Sequence, residues 1–413
     1  MTTRISLLSF IAFLLCMKVY SQECSLDKYL NQGISSNPVL KDLSNQILST
    51  RYDSLIARAA ILPQVNFNGY LMYAPTINGW GYSEVITNGQ NLSGTINISQ
   101  QIFNKKTREA TIQKYGLESG DLANTRNISI NELKKAITAQ YLAAFAALEE
   151  RKFQQEVLAS LANEAKVVKI WTEKGIYRQT DYLSLQIEIR NLEQNIRDLD
   201  LQYRKEFWNL TLICGIDDTT SCDLQLPVIM DTVARKIENS LLFRHFLLDS
   251  LLIKNEKLQY DNKYKPALSW FADGGIVNNE PRLIYQNIGV SGGLSMTLPL
   301  FDGNQRKINY DKIRMREETR ISYQENFRFR YHAQLRQLQH ELETTRSFMK
   351  ENEKQVSLVQ ELVDADKALL NIGALPISDY ILALKNLMMV KHNGLQNQIR
   401  VQYILNEINF WKQ

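Results

Sequence analysis

The sequence predicts a mixed α/β membrane protein with very long antiparallel helices, short amphipathic strands and two internal structural repeats. Three observations support this fold class. Residues 304–372 contain neither Gly nor Pro, four segments alternate polar and apolar residues, and matching landmarks recur 198 residues apart. A helix over 304–372 would be about 100 Å long, so it belongs to an elongated assembly.

The N-terminus has the pattern of a secretory signal peptide, residues 1–21. Arg4 precedes an apolar run at residues 5–17, and Val19 and Ser21 suit cleavage after Ser21. The run is too short to span a bilayer, and a buried N-terminal helix is the alternative. No later run reaches about 18 apolar residues, so we expect no transmembrane helix in the mature chain.

The charge of the chain is nearly balanced. It has 48 Lys and Arg residues against 44 Asp and Glu residues, which gives no reason to expect nucleic acid as a partner. The four His residues are scattered without metal-ligand spacing, and neither a phosphate-binding Gly loop nor a nucleophile–base arrangement is found. We therefore expect no enzymatic activity, no metal and no cofactor.

Three Cys residues follow the predicted signal peptide. Cys214 and Cys222 flank a polar turn, and in an exported protein they are candidates for a short-loop disulfide. Free thiols are the alternative, and Cys24 has no assigned partner in either case. No His lies near the pair, which argues against a zinc site.

The first repeat is expected at residues 22–211. Its parts are strands at about 64–73 and 92–102, a long helix at about 104–172 and a tip turn at 173–181. Each strand has about the length that spans a membrane, and the period becomes helical after Phe103. A polar connector at residues 212–232 ends this half of the chain.

The second repeat is expected at residues 233–413. Its parts are strands at about 267–277 and 288–299, a long helix at about 303–372 and a tip turn at 373–379. Phe301, Gly373 and Asp379 match Phe103, Gly175 and Asp181 at one offset of 198 residues. A constant offset over this distance indicates an internal duplication.

Each predicted strand has one apolar face and one face of small polar residues. In the fourth strand, Val290, Leu294 and Met296 alternate with Ser291 and Ser295. In a bilayer the apolar face would meet lipid and the polar face would line a wet lumen. A four-stranded sheet has open edges, which hydrocarbon does not tolerate, so barrel closure requires further copies of the chain. A water-soluble sandwich is the less favoured alternative.

Several short motifs occur in a fixed order along both repeats. They are Leu62-Pro63 and Lys265-Pro266 before strands, Leu298-Pro299-Leu300-Phe301-Asp302-Gly303 after a strand, and the tip motifs Gly175-x5-Asp181 and Gly373-x5-Asp379. This ordered set resembles the outer-membrane efflux duct family, of which TolC is the type member, over essentially the whole mature chain.

The resemblance implies a homotrimer. Twelve strands would close one transmembrane β-barrel in the outer membrane of a Gram-negative bacterium, continuous with a long antiparallel α-helical barrel in the periplasm. It implies a passive exit duct for efflux or type I secretion, with a periplasmic adaptor and an inner-membrane pump of RND or ABC type as partners. A periplasmic adaptor and a structural coiled-coil scaffold without channel activity are the alternatives, but neither explains two hairpins with strand pairs at their far ends.

In this family the tip turns close the periplasmic mouth and contact the adaptor. The resemblance assigns these roles to Gly175, Thr180, Asp181, Gly373, Leu375, Pro376, Ser378 and Asp379. The glycines match turn positions that need a positive φ. The aspartates match residues near the aperture, where three copies of Asp379 would form an anionic ring that favours cations. Thr180-Asp181 and Ser378-Asp379 also suit helix N-caps, and both interpretations stay open.

Two positions depart from the type member of the family. Leu375 replaces an Arg that takes part in a gate-locking ion pair, and Leu382 replaces a second aspartate near the aperture. We therefore expect closure by apolar contacts of Leu375 and Pro376 rather than by a charged latch. No motif in the sequence identifies the cargo.

Overall fold

A computed structural model describes residues 24–82, 89–102, 105–218, 220, 222–232 and 236–413. The predicted signal peptide, residues 1–21, lies outside these ranges. None of the described helices combines the length and the apolar composition that a membrane-spanning helix needs.

Each half of the chain contains a strand pair, shorter helices and one very long helix. The helices are α1 (Leu26–Ser36), α2 (Pro38–Ala59), α3 (Lys105–Glu173), α4 (Gln179–Cys214), α5 (Leu241–Lys263), α6 (Gln305–Asn371) and α7 (Ile377–Lys412). The strands are β1 (Gln64–Tyr73), β2 (Gln90–Ile102), β3 (Ala267–Asn278) and β4 (Ile288–Thr297), and 3₁₀ turns occupy Ile237–Asn239 and Pro281–Gln286.

The element bounds differ from the expected ones mainly at the connector. The long helices α3 and α6 contain 69 and 67 residues and end within one residue of the expected positions. Helix α4 extends to Cys214, beyond the expected start of the connector at 212. Helix α5 begins only at Leu241, because the chain first forms a 3₁₀ turn that ends before Ser240.

Packing divides the chain into two compact units, and each unit takes sequence from both halves. The helical unit comprises Met1–Leu40, Ile128–Ser240 and Phe329–Gln413, and the strand unit comprises Lys41–Asn127 and Leu241–Arg328. Equivalent segments of the two halves therefore share a unit. The repeat bounds at 22–211 and 233–413 stay a prediction from the sequence.

The strand unit contains one antiparallel sheet with the order β1-β2-β3-β4. One row across the sheet consists of Phe67, Ile96, Gly274 and Val290, and the next row of Asn66, Asn97, Asp273 and Ser291. Neighbouring rows point to opposite faces of a sheet. The register thus collects apolar side chains on one face and polar side chains on the other, as the alternation in the sequence predicts.

The apolar face of the sheet is uncovered, and the sheet is open at both sides. Leu71 and Val290 are 78% and 90% exposed. Among the described residues, β1 and β4 each have a strand neighbour on one side only. Contiguous exposed apolar surface in a folded chain is typical of a surface that meets lipid or a partner.

The helical unit contains a disulfide that differs from the expected one. Cys24 is bonded to Cys222, with 6.4 Å between their Cα atoms, and the expected pair of Cys214 with Cys222 is wrong. Cys214 is the last residue of α4 and is fully buried in the core, with the backbone of Gly33 packed against it. Because burial raises the pKa of Cys214 to about 11, its thiol stays protonated and unreactive.

Tyr141 explains why the N-terminal segment and the connector meet. Its buried hydroxyl lies 2.8 Å from the carbonyl oxygen of Cys24 and 2.9 Å from that of Gln225, and it accepts a hydrogen bond from the N–H of Gln225 at 3.1 Å. One side chain of α3 therefore holds both segments side by side. The two cysteines are brought together by this contact rather than by their spacing in the chain.

We expect peptide mapping without reduction to recover Cys24 linked to Cys222. Removing this link by Cys24→Ser should lower the free energy of unfolding by about 2–5 kcal/mol, because a long loop is no longer closed in the unfolded chain. Denaturant unfolding of the mature protein measures the change. Cys214→Ala is the control and should keep the crosslinked peptide, whereas a peptide that joins Cys214 to Cys222 would contradict the pairing.

Candidate functional site

The two tip turns, residues 174–178 and 372–376, lie against each other in the helical unit. Four helices build one core beneath them, and Leu161 of α3, Leu185 of α4, Leu370 of α6 and Tyr380 of α7 are at most 1% exposed. The core belongs jointly to the α3–α4 hairpin and the α6–α7 hairpin. The position of each turn is therefore set by the other hairpin as well as by its own.

Both turns contain a glycine with a left-handed backbone. Gly175 has a φ of 78° and Gly373 a φ of 75°, where a side chain is strained. Gly373 also meets Ile176 of the other turn, and a Cβ added at Gly373 would lie 2.7 Å from Cγ2 of Ile176. The predicted positive φ is confirmed at both glycines, and one of them has a second reason to be glycine.

Tyr177 joins the two turns by hydrogen bonds. Its buried hydroxyl lies 3.0 Å from the carbonyl oxygen of Leu375 and 3.1 Å from that of Leu370. The hydroxyl can donate to either carbonyl, and the carbonyl of Leu370 also accepts the N–H of Gly373 at 3.1 Å. Tyr177 was not among the predicted site residues, although it lies inside the first tip motif and matches Leu375 at the offset of 198 residues.

Asp181 has a local structural role. Its Oδ2 accepts a hydrogen bond of 3.2 Å from the backbone N–H of Arg178, which is the N-cap residue of α4. Such a contact satisfies one of the free N–H groups at the start of a helix. Thr180 lies within the first turn of α4 and is exposed, so it is not the N-cap residue.

Asp379 lacks this role, although it matches Asp181 in the second turn. Pro376 holds the N-cap position of α7, and proline has no N–H to donate to a carboxylate. Asp379 is exposed and accepts a hydrogen bond of 3.1 Å from the hydroxyl of Ser378, its neighbour in sequence. The two aspartates of the duplicated motif therefore differ, because only Asp181 is used to cap its helix.

Leu375 contributes to packing within its own chain. It is half-buried against the core of the four helices, whereas Pro376 is exposed and Leu382 is 61% exposed. The part of Leu375 and Pro376 in closing a mouth stays a prediction. The roles of all eight tip residues in an aperture or in adaptor contact are likewise untested expectations.

Two ion pairs connect the hairpins below the tips. Glu164 of α3 lies 2.9 Å from Lys367 of α6, and Glu188 of α4 lies 2.9 Å from Lys385 of α7. Glu164 is buried, and its hydrogen bond raises the pKa of Lys367. A buried carboxylate of this kind is costly without a partner. No sequence motif predicted either pair, because the partners lie on different hairpins.

The tip residues pack against the shared core and form hydrogen bonds with one another. Across the described part of the chain, no group of three or more His, Cys, Asp or Glu side chains is placed to hold a metal ion. The tip region instead offers an exposed carboxylate, Asp379, beside two turns that are held together by Tyr177.

Solved structures share this fold at low sequence identity. VceC, the outer membrane protein from Vibrio cholerae, matches with a TM-score of 0.77 and 11% identity, over 94% of this chain and 96% of that chain. The CmeC outer membrane channel from Campylobacter jejuni matches with a TM-score of 0.76 and 12% identity, over 94% of this chain and 85% of that chain. CusC matches with a TM-score of 0.76 and 13% identity, over 95% of this chain and 92% of that chain. No family model and no curated protein sequence matches this chain.

The long helical hairpins and the four-stranded sheet of this chain thus form the fold of outer-membrane channels. Within this class, the chain has the fold of the TolC-like efflux channels, which is the family that its sequence motifs resemble.

We expect Tyr177→Phe to loosen the contact between the tip turns. Loss of the hydroxyl leaves buried carbonyls without this donor and should lower the free energy of unfolding by about 1–2 kcal/mol. Hydrogen exchange measured by mass spectrometry should become faster in residues 370–376.

Tyr182→Phe is the matched control for this experiment. Tyr182 packs on the same core, and its hydroxyl has no hydrogen-bond partner within the described ranges. Equal effects of the two substitutions would show that the hydrogen bonds of Tyr177 do not join the turns.

Proposed function

We propose that this protein is a passive outer-membrane exit duct for efflux or type I secretion. One observation carries the proposal: a four-stranded antiparallel sheet with an exposed apolar face, a polar opposite face and two open edges. A sheet in hydrocarbon must be closed, because each unpaired backbone group costs several kcal/mol there. The fold of outer-membrane channels supports the same conclusion.

A homotrimer is the proposed assembly. Strand β1 of one copy would pair with strand β4 of the next copy, so that no strand edge stays open. Three copies would supply twelve strands, the number that the family resemblance implies. The polar rows, such as the row with Asn66 and Asp273, would then face the lumen.

The partners are inferred from the same resemblance. A passive duct needs an energy source, which we assign to an inner-membrane pump of RND or ABC type that is connected through a periplasmic adaptor. The protein would lie in the outer membrane of a Gram-negative bacterium, with its helical hairpins in the periplasm. The fold of channel proteins also makes a non-enzymatic role the favoured one.

The tip turns are the proposed periplasmic mouth. Asp379 is the better candidate for an anionic ring at the aperture, since its carboxylate is exposed and does not cap a helix. Asp181 is the weaker candidate, because its carboxylate accepts the N–H of Arg178. Gly175, Thr180, Gly373, Leu375, Pro376 and Ser378 would shape the turns that the adaptor contacts.

The duct proposal is tested by membrane fractionation and by conductance. The protein should remain in membranes after carbonate washing, require detergent for extraction, and form channels that prefer cations in planar bilayers. An adaptor or a structural scaffold would give no conductance, and a scaffold would be released by the carbonate wash.

The aperture assignment is tested by Asp379→Ala in the same bilayers. Removing the carboxylates should weaken the block by multivalent cations added on the periplasmic side, because the anionic ring would be lost. Asp181→Asn is the matched control and should leave the block nearly unchanged. An unchanged block in Asp379→Ala would remove Asp379 from the aperture.

A further inference from the structure

The two ends of the sheet carry different charge. We define the helix-side rim as residues 57–63, 105–109, 261–266 and 302–309, which adjoin the strand ends near the helices. This rim contains eight Lys and Arg residues and three carboxylates, whereas the described loop residues at the other end, 74–82 and 279–287, contain one Arg and one Glu. The net charge of the whole chain is only +4, so the positive charge is concentrated at the rim.

The cationic side chains of the rim are directed to solvent. Seven of them are exposed and Lys265 is half-buried; the exposed ones are Arg58, Lys105, Lys106, Arg108, Lys263, Arg306 and Lys307. Since all of them belong to the strand unit, their arrangement follows from the sheet and the helix ends that adjoin it.

All three carboxylates are already engaged within the chain, and Glu109 lies 3.9 Å from Lys105. Asp302 accepts hydrogen bonds from the hydroxyl of Tyr264 at 2.6 Å and from the N–H of Arg306 at 2.8 Å. These bonds lower the pKa of Asp302. Asp261 accepts a hydrogen bond from Tyr310 and one of 3.4 Å from the guanidinium of Arg306. Within the described ranges both aspartates bind Arg306, and neither binds Lys263 or Lys265.

A cavity opens at the junction between the end of β2, the start of α3 and the end of α5. It has a volume of about 320 Å³, and its lining combines apolar residues with polar ones, namely Ile102, Pro266 and Ala267 with Gln101, Thr107, Thr111, Gln259, Asn262, Lys263 and Lys265. The ammonium of Lys265 donates one hydrogen bond of 2.5 Å to Oδ1 of Asn262, which leaves two N–H groups for a ligand. No Asp or Glu is among its described lining residues. Ammonium, amide and hydroxyl donors without a carboxylate form a set that suits an anion with several oxygen acceptors.

Aromatic residues near this cavity are arranged as at a membrane–water interface. Tyr264 belongs to the rim, Tyr260 and Tyr310 contact its cations, and Lys263 lies 4.8 Å from the ring of Tyr260. At the opposite end of the sheet, Trp80 and Tyr285 are 85% and 91% exposed. Belts of Tyr and Trp on both sides of an apolar band are typical of membrane–water interfaces.

We propose that the helix-side rim binds anionic phospholipid, with Lys263 and Lys265 holding the phosphodiester in this cavity. The inference rests on the proposed function, because it needs the sheet to lie in a bilayer. Lipid acyl chains would then lie along the apolar face of the strands, while their phosphates reach the cations where the apolar rows end. Phosphatidylglycerol, which has a net negative charge, is preferred over zwitterionic phosphatidylcholine.

The test uses the full-length mature protein in a nonionic detergent. Binding of dihexanoyl phosphatidylglycerol, dihexanoyl phosphatidylcholine and inorganic phosphate is measured by native mass spectrometry. Phosphatidylglycerol should bind about tenfold more tightly than phosphatidylcholine, and inorganic phosphate should not compete at equal concentration. The double variant Lys263→Gln/Lys265→Gln should lose this preference.

Two further variants keep the test independent of folding. Lys263→Arg/Lys265→Arg keeps the charge and should retain the preference. Lys350→Gln/Lys354→Gln changes two exposed lysines of α6 in the helical unit and should also retain it. Equal binding of the two lipids, or an unchanged preference in the Gln variant of the rim, would overturn the proposal. Full competition by inorganic phosphate would identify a free anion as the ligand and also overturn it.

Conductance in bilayers of phosphatidylcholine alone separates the two proposals. Channels without a lipid preference would reject the rim site and keep the duct. A lipid preference without channels would reject the duct, and the rim site would then describe a surface for lipid on a protein that is not a channel.

Discussion

Backbone pairing at the sides of a four-stranded sheet is the constraint on which the rest of the structure depends. The chain supplies three strand pairings and leaves β1 and β4 as edges. In water an exposed edge risks aggregation, and in hydrocarbon it is not tolerated at all. The apolar row from Phe67 to Val290 makes water an unsuitable solvent for this face. The proposed assembly answers this constraint, because neighbouring copies would pair their edge strands.

The internal repeat predicted from the sequence pairs positions in the two halves, and the structure uses the members of these pairs differently. Three pairs at the offset of 198 residues illustrate this difference: Tyr177 with Leu375, Arg178 with Pro376, and Cys24 with Cys222. The first pair is joined by a hydrogen bond and the third by a disulfide. In the second pair, Arg178 donates its backbone N–H to Asp181, whereas Pro376 has no N–H to donate to Asp379. Different residues at the matching positions Arg178 and Pro376 thus leave Asp181 with a capping role and Asp379 without one.

Charged and aromatic residues make the two ends of the sheet different. The apolar rows alone do not distinguish the two ends of the sheet, since each row crosses all four strands in the same way. The helix-side rim has an excess of cations and a polar cavity, while the loop end has almost no charge. An amphipathic sheet with one basic end has a preferred orientation at an anionic lipid surface, because only that end gains electrostatic attraction.

Much of the fold could be predicted because it depends on local patterns. The absence of Gly and Pro from 304–372 is enough to predict α6, and alternation is enough to predict which face of each strand is apolar. The glycines at 175 and 373 were also predictable, since turns that need a positive φ select glycine. The site was less predictable, because Tyr177 and the pair of Glu164 with Lys367 act between hairpins.

The sequence by itself determined the helices, the strands, their polar and apolar faces and the duplicated turns, since each depends on residues close together in the chain. Only the tertiary structure decided which cysteines are joined, which aspartate caps a helix and which tyrosine holds the tips together. The physical reason is distance along the chain. Cys24 is bonded to Cys222 across 198 residues, whereas Cys214, which is much nearer in sequence, stays a buried free thiol at the end of α4.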